Sequence, residues 1–292
     1  MNSAADIYNL DFLSVIAVTG NDSAGFLQGQ LSCNIKTLSP EQASIAAYCT
    51  AKGRVISILI VVPYADGFWL ILPTSLVEQV QKRLQMYVLR SAVKLVRLAS
   101  SVLGLSSQSA SLLDLALPLT DFACSIQDSR CLLKIPSVNQ SRYLFLTSEF
   151  PATDTQPMGK NAWWRFEDIR AGLPWFEADQ SENYTPHMLS LDTLGGISLD
   201  KGCYTGQEII ARTHYLGKNK RQLYAGQIDA DIFIPSGQSV VDPQSLQTVG
   251  HVLFAQSYQQ ITRILMVLNL ENDHSGTFAI HDSDLTTIEL LQ

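Results

Sequence analysis

The sequence predicts an α+β protein with a small β-barrel domain at its C-terminal end. One strongly amphipathic helix, expected over residues 75–88, stands among apolar runs that have the length of β-strands. From residue 222 onward the chain is mostly strand-like, with turn residues between the strands. At 292 residues, the chain has room for two or three domains with substantial cores.

The first elements are a strand over residues 12–18, a turn, and a short helix over residues 23–31. Gly29 falls inside that helix, where glycine costs about 1 kcal/mol relative to alanine. Its presence therefore indicates a helix end or a close approach of another part of the backbone.

The middle of the chain is rich in strands. Ser75 and Glu78 form a capping box that begins the amphipathic helix. Strands are expected over residues 46–50, 55–62, 68–72, 93–96, 102–105, 131–135 and 143–146. This order of strands and helix favours an α+β sandwich of ferredoxin-like type.

A polar stretch over residues 151–160 is typical of a linker, and a helix follows it over residues 162–171. Gly172 and Pro174 end this helix. Trp164 lies near its start, where a tryptophan is more often part of a core than a platform for a ligand. The strands of the barrel are expected over residues 223–228, 249–254, 261–268 and 278–281.

The composition is that of an ordinary globular protein, with 46% hydrophobic and 16% charged residues. No apolar run is long enough to span a membrane, and the N-terminus lacks the basic and apolar regions of a secretion signal. We therefore expect a soluble, cytoplasmic protein. We also expect it to be a monomer.

The formal net charge of −7 disfavours nucleic acid as a partner of the surface as a whole. Between residues 201 and 221, however, five cations outnumber one anion, Glu208. The five are Lys201, Arg212, Lys218, Lys220 and Arg221. Two interpretations stay open, a solvated face or a surface for an anionic ligand or a tRNA-like partner.

The motifs give little support to metal or nucleotide chemistry. The five cysteines form no CxxC pair, which argues against a disulfide framework and against a four-cysteine metal or iron–sulfur site. The histidines show no metal-binding spacing, so we expect no metal held by this chain alone. Glycine-rich nucleotide loops and the Gly-x-Ser-x-Gly elbow are absent from the sequence, which disfavours dinucleotide oxidoreductases, nucleotide hydrolases and serine hydrolases.

The most informative stretch is Lys201-Gly202-Cys203-Tyr204-Thr205-Gly206-Gln207-Glu208. Thr205 and Glu208 have the spacing of a capping box, which predicts a helix that begins near Gly206. Cys203 would then lie just before the N-terminus of a helix.

That position bears on the reactivity of Cys203. A helix N-terminus, with Lys201 and Arg212 nearby in the sequence, favours the thiolate form. The alternative is a buried and inert thiol, which suits the surrounding glycines and charged residues poorly. His214 is the histidine nearest in sequence, and it could serve as a base for the thiol only if the helix folds back.

This stretch resembles the signature of the folate-binding, tRNA-modifying YgfZ family, within the superfamily of the glycine-cleavage T-protein aminomethyltransferases. Further stretches similar to that family are Gly29-Gln30, Ala51-Lys52-Gly53, Arg170-Ala171-Gly172-Leu173-Pro174 and Leu194-Gly195-Gly196-Ile197-Ser198. Together the matches extend over about residues 12–225.

The resemblance implies a three-domain, ring-like fold of the aminomethyltransferase type that holds a tetrahydrofolate in a central hole. We divide the chain accordingly into a discontinuous folate-binding domain (1–50 with 151–220), a ferredoxin-like α+β domain (51–150) and a C-terminal β-barrel domain (221–292). The resemblance also implies support of iron–sulfur cluster assembly or repair, with iron–sulfur proteins or assembly factors as partners. Through them the protein would affect tRNA thiolation.

The resemblance also carries functional residues onto this sequence. Cys203 takes the place of the family's reactive cysteine, and Trp164 that of a tryptophan that contacts folate. A second aromatic of the family falls near Leu13, so either Phe12 substitutes for it or folate binding is weaker here. The cations expected to pair with the glutamate tail of folate are Arg212 and Lys218. The remaining motif residues are Lys201, Gly202, Tyr204, Gly206, Gln207 and Glu208.

One departure from the superfamily concerns catalysis. The aminomethyltransferases have an Asp-Asp pair where this chain has Ser57-Ile58. Without that carboxylate, one-carbon transfer lacks its acid–base group, so we lean against an enzyme. The alternative function is a folate-dependent one-carbon transferase acting on an unknown substrate. A third is direct tRNA binding through residues 201–221.

Overall fold

The computed structural model describes residues 7–147, 161–216, 220–269, 277–281 and 285–291. These residues form two five-stranded sheets, a closed six-stranded barrel and five α-helices. The strands are β1 (Ile7–Asn9), β2 (Leu13–Thr19), β3 (Ser44–Cys49), β4 (Val55–Tyr64), β5 (Gly67–Pro73), β6 (Lys94–Arg97), β7 (Val102–Ser106), β8 (Cys124–Gln127), β9 (Arg130–Ile135), β10 (Arg142–Thr147), β11 (Arg221–Ile228), β12 (Ser239–Val241), β13 (Thr248–Tyr258), β14 (Ile261–Asn269), β15 (Phe278–Ile280) and β16 (Thr287–Leu290). The α-helices are α1 (Ser23–Gln28), α2 (Val77–Val88), α3 (Ser107–Ala110), α4 (Asn161–Arg170) and α5 (Gln207–Leu216).

The first sheet has the strand order β3-β4-β5-β2-β6, and all neighbouring strands are antiparallel. Its longest strand, β4, contains the apolar run that predicted a strand covered on both faces, and residues 55–62 are all buried. Helix α2 packs against β2 and β6. The buried residues of α2 are Val77, Val80, Leu84 and Val88, which recur at helical spacing.

Two helix ends differ from the sequence prediction. Helix α1 stops at Gln28, because Gly29 forms its C-cap and donates its N–H to Phe26 O. The capping box predicted for α2 is wrong, since Ser75 lies in a 3-10 turn and no side chain caps the helix. The Ser75 hydroxyl instead donates to Glu177 Oε2 at 2.6 Å. A tertiary hydrogen bond has replaced the local one.

The second sheet has the order β1-β7-β10-β9-β8. The strands expected between residues 46 and 146 are all present, and they divide between the two sheets. The domain boundary predicted at residue 50 lies between β3 and β4, which pair from Ser44↔Val61 to Cys49↔Val55. The first sheet therefore includes strands from both sides of that boundary.

The predicted C-terminal barrel is confirmed, with the closed order β11-β14-β13-β12-β15-β16. Its longest strands, β13 and β14, pair from Gly250↔Leu268 to Tyr258↔Ile261. The barrel has an apolar core of its own. Among the described residues, no helix has the length and apolar character needed to cross a membrane.

Helix α4 joins the second sheet to the barrel through two buried ion pairs. Arg142 on β10 lies 2.8 Å from Asp168 Oδ1, and both side chains are almost fully buried. Arg263 on β14 lies 2.6 Å from Glu167 Oε1. Each guanidinium also donates to a backbone carbonyl of α4, Arg142 to Trp164 O and Arg263 to Phe166 O. Glu167 and Asp168 are adjacent on helix α4. Glu167 forms an ion pair with an arginine of the barrel, and Asp168 forms one with an arginine of the second sheet.

These charges are removed from water. Burial raises the pKa of the Asp168 carboxyl to about 6, and the adjacent Arg142 opposes that rise. A buried charge that loses its partner is strongly destabilising, because its lost hydration is not replaced. The ion pairs therefore favour one particular placement of α4.

We predict that Arg142→Met lowers the free energy of unfolding by about 3 to 5 kcal/mol, because Asp168 is left without its counter-charge. The double variant Arg142→Met/Asp168→Leu should recover most of that loss. Urea denaturation followed by circular dichroism measures both. The matched control is Arg83→Met, whose ion pair with Glu182 is longer at 3.6 Å and partly exposed. It should cost less than about 1 kcal/mol. Equal losses at the two arginines would contradict the prediction.

Candidate functional site

The signature segment over residues 201–208 lies near two other stretches singled out in the sequence, around residues 29–33 and 194–198. Thr205 N–H donates to Gly29 O at 3.2 Å, and Ser198 N–H donates to Ser32 O at 2.9 Å. Ser32 Oγ in turn donates to Gly196 O at 2.6 Å. The structure thus brings residues 29–33, 194–198 and 201–208 together.

The turn at residues 50–53 also contacts this segment, through glycines. Gly206 and Gly53 both have positive φ angles, +86° and +67°. A Cβ atom on Gly206 would lie 2.6 Å from Thr50 O and 3.0 Å from Gly53 Cα. Both positions therefore require glycine, for backbone conformation and for space. The remaining stretch, residues 170–174, ends α4, with Gly172 at φ +67°.

Lys201 anchors the signature segment to the interior. Its ammonium donates to Leu31 O at 2.7 Å and to Cys33 O at 2.6 Å, and it lies 4.8 Å from the ring centre of Tyr204. Burial lowers the pKa of Lys201 to about 8, and the Cys33 thiol opposes this. Both of these hydrogen bonds go to the loop after α1, so Lys201 holds the segment in place.

Tyr204 is the second interior anchor, and Cys203 lies between the two. Tyr204 is 6% exposed, and burial raises the pKa of its hydroxyl. Cys203 and the preceding Gly202 are exposed. The other four cysteines are buried, and all five thiols are free. The buried alternative considered for Cys203 is therefore wrong, and its thiol faces solvent.

Helix α5 begins at Gln207, one residue after the predicted start. At this start Tyr204 N–H donates to Gln207 Oε1 at 3.3 Å, and Gln207 N–H donates to Tyr204 O at 3.1 Å. Glu208 lies in the first turn, where a negative charge is favourable. Gln207 thus supplies a contact of the capping type, whereas the sequence pattern had pointed to Thr205 and Glu208.

His214 is not placed as a base for Cys203. Helix α5 continues without a break to Leu216, so it does not fold back toward its own start. His214 lies seven positions after Gln207 along the helix, a rise of about 10 Å. The His214 ring instead lies 5.8 Å from that of His187. Burial lowers the pKa of His187, and His214 lowers it further, whereas Asp192 raises it.

One of the five cations of residues 201–221 does not belong to the surface. Lys201 is buried, which contradicts its count as a surface charge. Arg212, Lys220 and Arg221 are exposed. Lys218 lies outside the described residues.

Trp164 is fully buried, as residue statistics favour for a helical tryptophan. The Arg142 guanidinium lies 4.8 Å from its ring centre, and Tyr8 packs at 5.6 Å. A Cβ atom on Gly104 would lie 2.6 Å from the indole ring. The indole therefore offers no exposed face to a ligand in this structure.

Leu13 lines a cavity of about 460 Å³ between the first and second sheets. Its polar wall includes Asp11, Ser14, Thr74 and Arg97. Arg97 donates to Ser14 Oγ at 3.2 Å, and the hydroxyls of Ser14 and Thr74 lie 3.0 Å apart. The cavity thus combines an apolar side chain with a cation, a carboxylate and two hydroxyl groups.

Phe12 does not line this cavity. The Arg165 guanidinium lies 4.8 Å from the Phe12 ring centre and 4.1 Å from that of Phe254. Arg165 is also paired with Glu177, at 2.8 Å. Phe12 therefore belongs to a contact between the first sheet, α4 and the barrel.

Sequence reasoning missed Arg97 and Asp11. Arg97 reaches the cavity because β6 pairs with β2, with Ile16 opposite Arg97. Asp11 is held by Asn161 at the start of α4, whose amide donates to its carboxylate. Both contacts join residues distant in the chain, so no local pattern could have indicated them.

Known proteins provide an independent comparison. No family model matches the chain. The chain is 32% identical over 229 residues to the tRNA-modifying protein YgfZ of Yersinia enterocolitica, covering 75% of this chain and 69% of that protein. It is 29% identical over 300 residues to the tRNA-modifying protein YgfZ of Escherichia fergusonii, covering 97% and 91%. The solved structure of the glycine cleavage system aminomethyltransferase T from Bartonella henselae matches with a TM-score of 0.79 at 14% identity, covering 99% of this chain and 85% of that one. That match confirms the predicted aminomethyltransferase-type fold.

We predict that Gly206→Ala lowers the free energy of unfolding by about 2 kcal/mol, because alanine is strained at this positive φ and its methyl group meets Thr50 O. Gly202→Ala is the matched control, since a Cβ atom there has no neighbour within 4 Å. It should change stability by less than about 0.5 kcal/mol. Urea denaturation of both variants measures the difference. Equal effects would show that the contact with the 50–53 turn is not tight.

Proposed function

Since the chain belongs to the YgfZ family of tRNA-modifying proteins, we propose that it is a folate-binding accessory protein that supports iron–sulfur cluster assembly or repair. Its partners are iron–sulfur proteins or assembly factors, and its effect on tRNA is exerted through the cluster enzymes that thiolate it. Cys203 is the reactive thiol of this proposal, and the cytoplasm is its location.

The observation that carries the proposal is the exposure of Cys203 on a firmly held loop. The residues on either side of the exposed pair, Lys201 and Tyr204, are buried. A thiol at such a position can reach a partner protein without a rearrangement of the fold. Thiolate sulfur is also the usual ligand of iron–sulfur clusters. One thiolate supplies at most one of the four ligands of such a cluster, so the partner would supply the rest.

The cavity lined by Leu13 fits part of a folate molecule. Its volume of about 460 Å³ lies in the range of small-molecule sites. The Arg97 guanidinium suits the carboxylates of the glutamate tail, because its planar fork can pair with them through two hydrogen bonds. The hydroxyls of Ser14 and Thr74 lie beside Arg97, so they can donate hydrogen bonds to the same carboxylates. Trp164 is packed against Gly104, two residues beyond the cavity residue Val102, and does not itself line the cavity.

Folate, when bound, supplies a carrier for a one-carbon unit. The transferase alternative would also need an acid–base group beside that carrier. Ser57 and Ile58, at the positions of the missing aspartates, are fully buried on β4, and the Ser57 hydroxyl donates to Ile58 O at 2.8 Å. Neither residue can ionise or shuttle a proton there, which favours the accessory role over the transferase.

We predict that Cys203→Ser abolishes the cellular role of the protein without unfolding it. Serine preserves the shape of the exposed side chain but is neither a comparable nucleophile nor a soft metal ligand. In cells that rely on this chain alone, thiolated tRNA should fall to the level of cells without it, as measured by mass spectrometry of digested tRNA. The control, Met86→Ser, alters an exposed side chain on α2 and should behave as wild type. Normal thiolation with Cys203→Ser would refute the role of this thiol.

We predict that Arg97→Gln weakens tetrahydrofolate binding by about ten- to a hundredfold, the loss expected from one charge-assisted contact. Isothermal titration calorimetry measures it. Lys94→Gln is the matched control, because Lys94 is exposed on the same strand and does not line the cavity. It should bind folate as the wild type does. Equal affinities for the two variants would place the folate tail elsewhere, and an absence of binding by the wild type would remove folate from the proposal.

A further inference from the structure

Two buried cysteines face each other on the hairpin that ends the second sheet. Cys124 lies on β8 and Cys131 on β9, and β8 is the edge strand. The register pairs Cys124 with Leu133 and Ile126 with Cys131. Because alternate residues of a strand share a face, the two cysteines are diagonal neighbours on the same side of the hairpin. Their side chains are close enough to interact, and each shifts the pKa of the other thiol.

The two thiols are chemically unequal. The Cys131 thiol donates to the Cys124 sulfur and thereby lowers the pKa of Cys124. A backbone hydrogen bond at Ala43 acts in the same direction, whereas burial and the Glu41 carboxylate oppose it. The pKa of Cys131 is raised by that same hydrogen bond and by burial. Cys124 as a thiol also contacts Pro40 O at 3.1 Å.

Solvent reaches the thiol of Cys124 more easily than that of Cys131. Cys124 is 5% exposed and Cys131 is fully buried. Strand β8 has four residues and pairs with β9 within the sheet, and on its other side Cys124 N–H donates to Glu41 O at 2.8 Å. Because Cys124 keeps some exposure and Cys131 has none, a small oxidant meets Cys124 before Cys131.

We propose that Cys124 and Cys131 form an intramolecular disulfide on exposure to a hydroperoxide, at a modification site separate from Cys203. The Cys124 thiolate attacks one peroxide oxygen, the O–O bond breaks, and a proton completes the water that leaves, so Cys124 becomes a sulfenic acid. The Cys131 thiol then attacks that sulfur, the S–O bond breaks, and a second water leaves with the thiol proton. Two thiols are oxidised and one hydrogen peroxide is reduced to two waters.

The geometry required for the bond is within reach of the hairpin. The sulfur atoms have to approach to about 2.05 Å. Both cysteines lie on the same face of adjacent strands, so this movement brings the sulfurs together without crossing the sheet.

The full-length Cys203→Ala variant tests this, because it removes the exposed thiol. After treatment with hydrogen peroxide, the remaining thiols are alkylated in denaturant and the chain is digested with trypsin. Cleavage after Arg97, Arg130 and Lys134 places the two cysteines in separate fragments, 98–130 and 131–134. We expect these fragments joined and separable by reduction, with Cys33 and Cys49 still alkylated. Recovery of alkylated Cys131, or of Cys124 as a sulfinic acid, would overturn the proposal.

Two further variants test the order of events in the same background. With Cys131→Ser, Cys124 lacks its partner, so a sulfenic acid should accumulate and be trapped by dimedone. With Cys124→Ser, Cys131 should stay unmodified. Trapping at Cys131 would reverse the assigned roles. The fragment analysis of the parent variant stands on its own if either of these chains fails to fold.

Discussion

Helix α4 contacts the second sheet and the barrel through buried ion pairs. Because buried charges need their partners close by, only a few positions of the helix are compatible with them. An apolar helix face can rotate or slide at a modest free-energy cost. A buried carboxylate without a cation beside it is strongly destabilising. Glu167 and Asp168 are consecutive, so their side chains leave the helix about 100° apart. One therefore meets Arg263 on the barrel and the other Arg142 on the second sheet. The two pairs together fix the rotation of α4 about its axis.

The placement of α4 bears on the signature loop, because the chain runs from this helix to it through residues 171–200. The loop is then held mainly by contacts with backbone carbonyl groups of the neighbouring segments. Lys201 binds two carbonyls and Gly206 packs on a third. Backbone acceptors are present whatever side chains those segments carry. The result is a loop with a buried residue on each side of the exposed Gly202 and Cys203. Such a loop can present a thiol at a fixed place.

Local patterns predicted the elements well, and long-range contacts account for most of what they missed. The apolar run of β4, the glycine that ends α1 and the turn-separated strands of the barrel were all readable in the sequence. The division of the middle strands between two sheets was not, because it depends on which strands pair. Ser75 had the spacing of a helix cap, but in the fold its hydroxyl donates to Glu177 instead. Lys201 was counted as a surface charge because the sequence around it does not reveal that the carbonyls of Leu31 and Cys33 accept its hydrogen bonds.

The family resemblance and the residue statistics disagreed over Trp164, and the disagreement is informative. Statistics favour burial, and the indole is fully buried between Tyr8, Arg142 and Gly104. The Arg142 guanidinium that covers this ring also holds Asp168. Exposing the indole to a ligand would thus disturb an ion pair that helps to place α4. A ligand that enters the neighbouring cavity leaves that ion pair intact. For this reason the proposed folate site rests on Leu13 and Arg97 and not on Trp164.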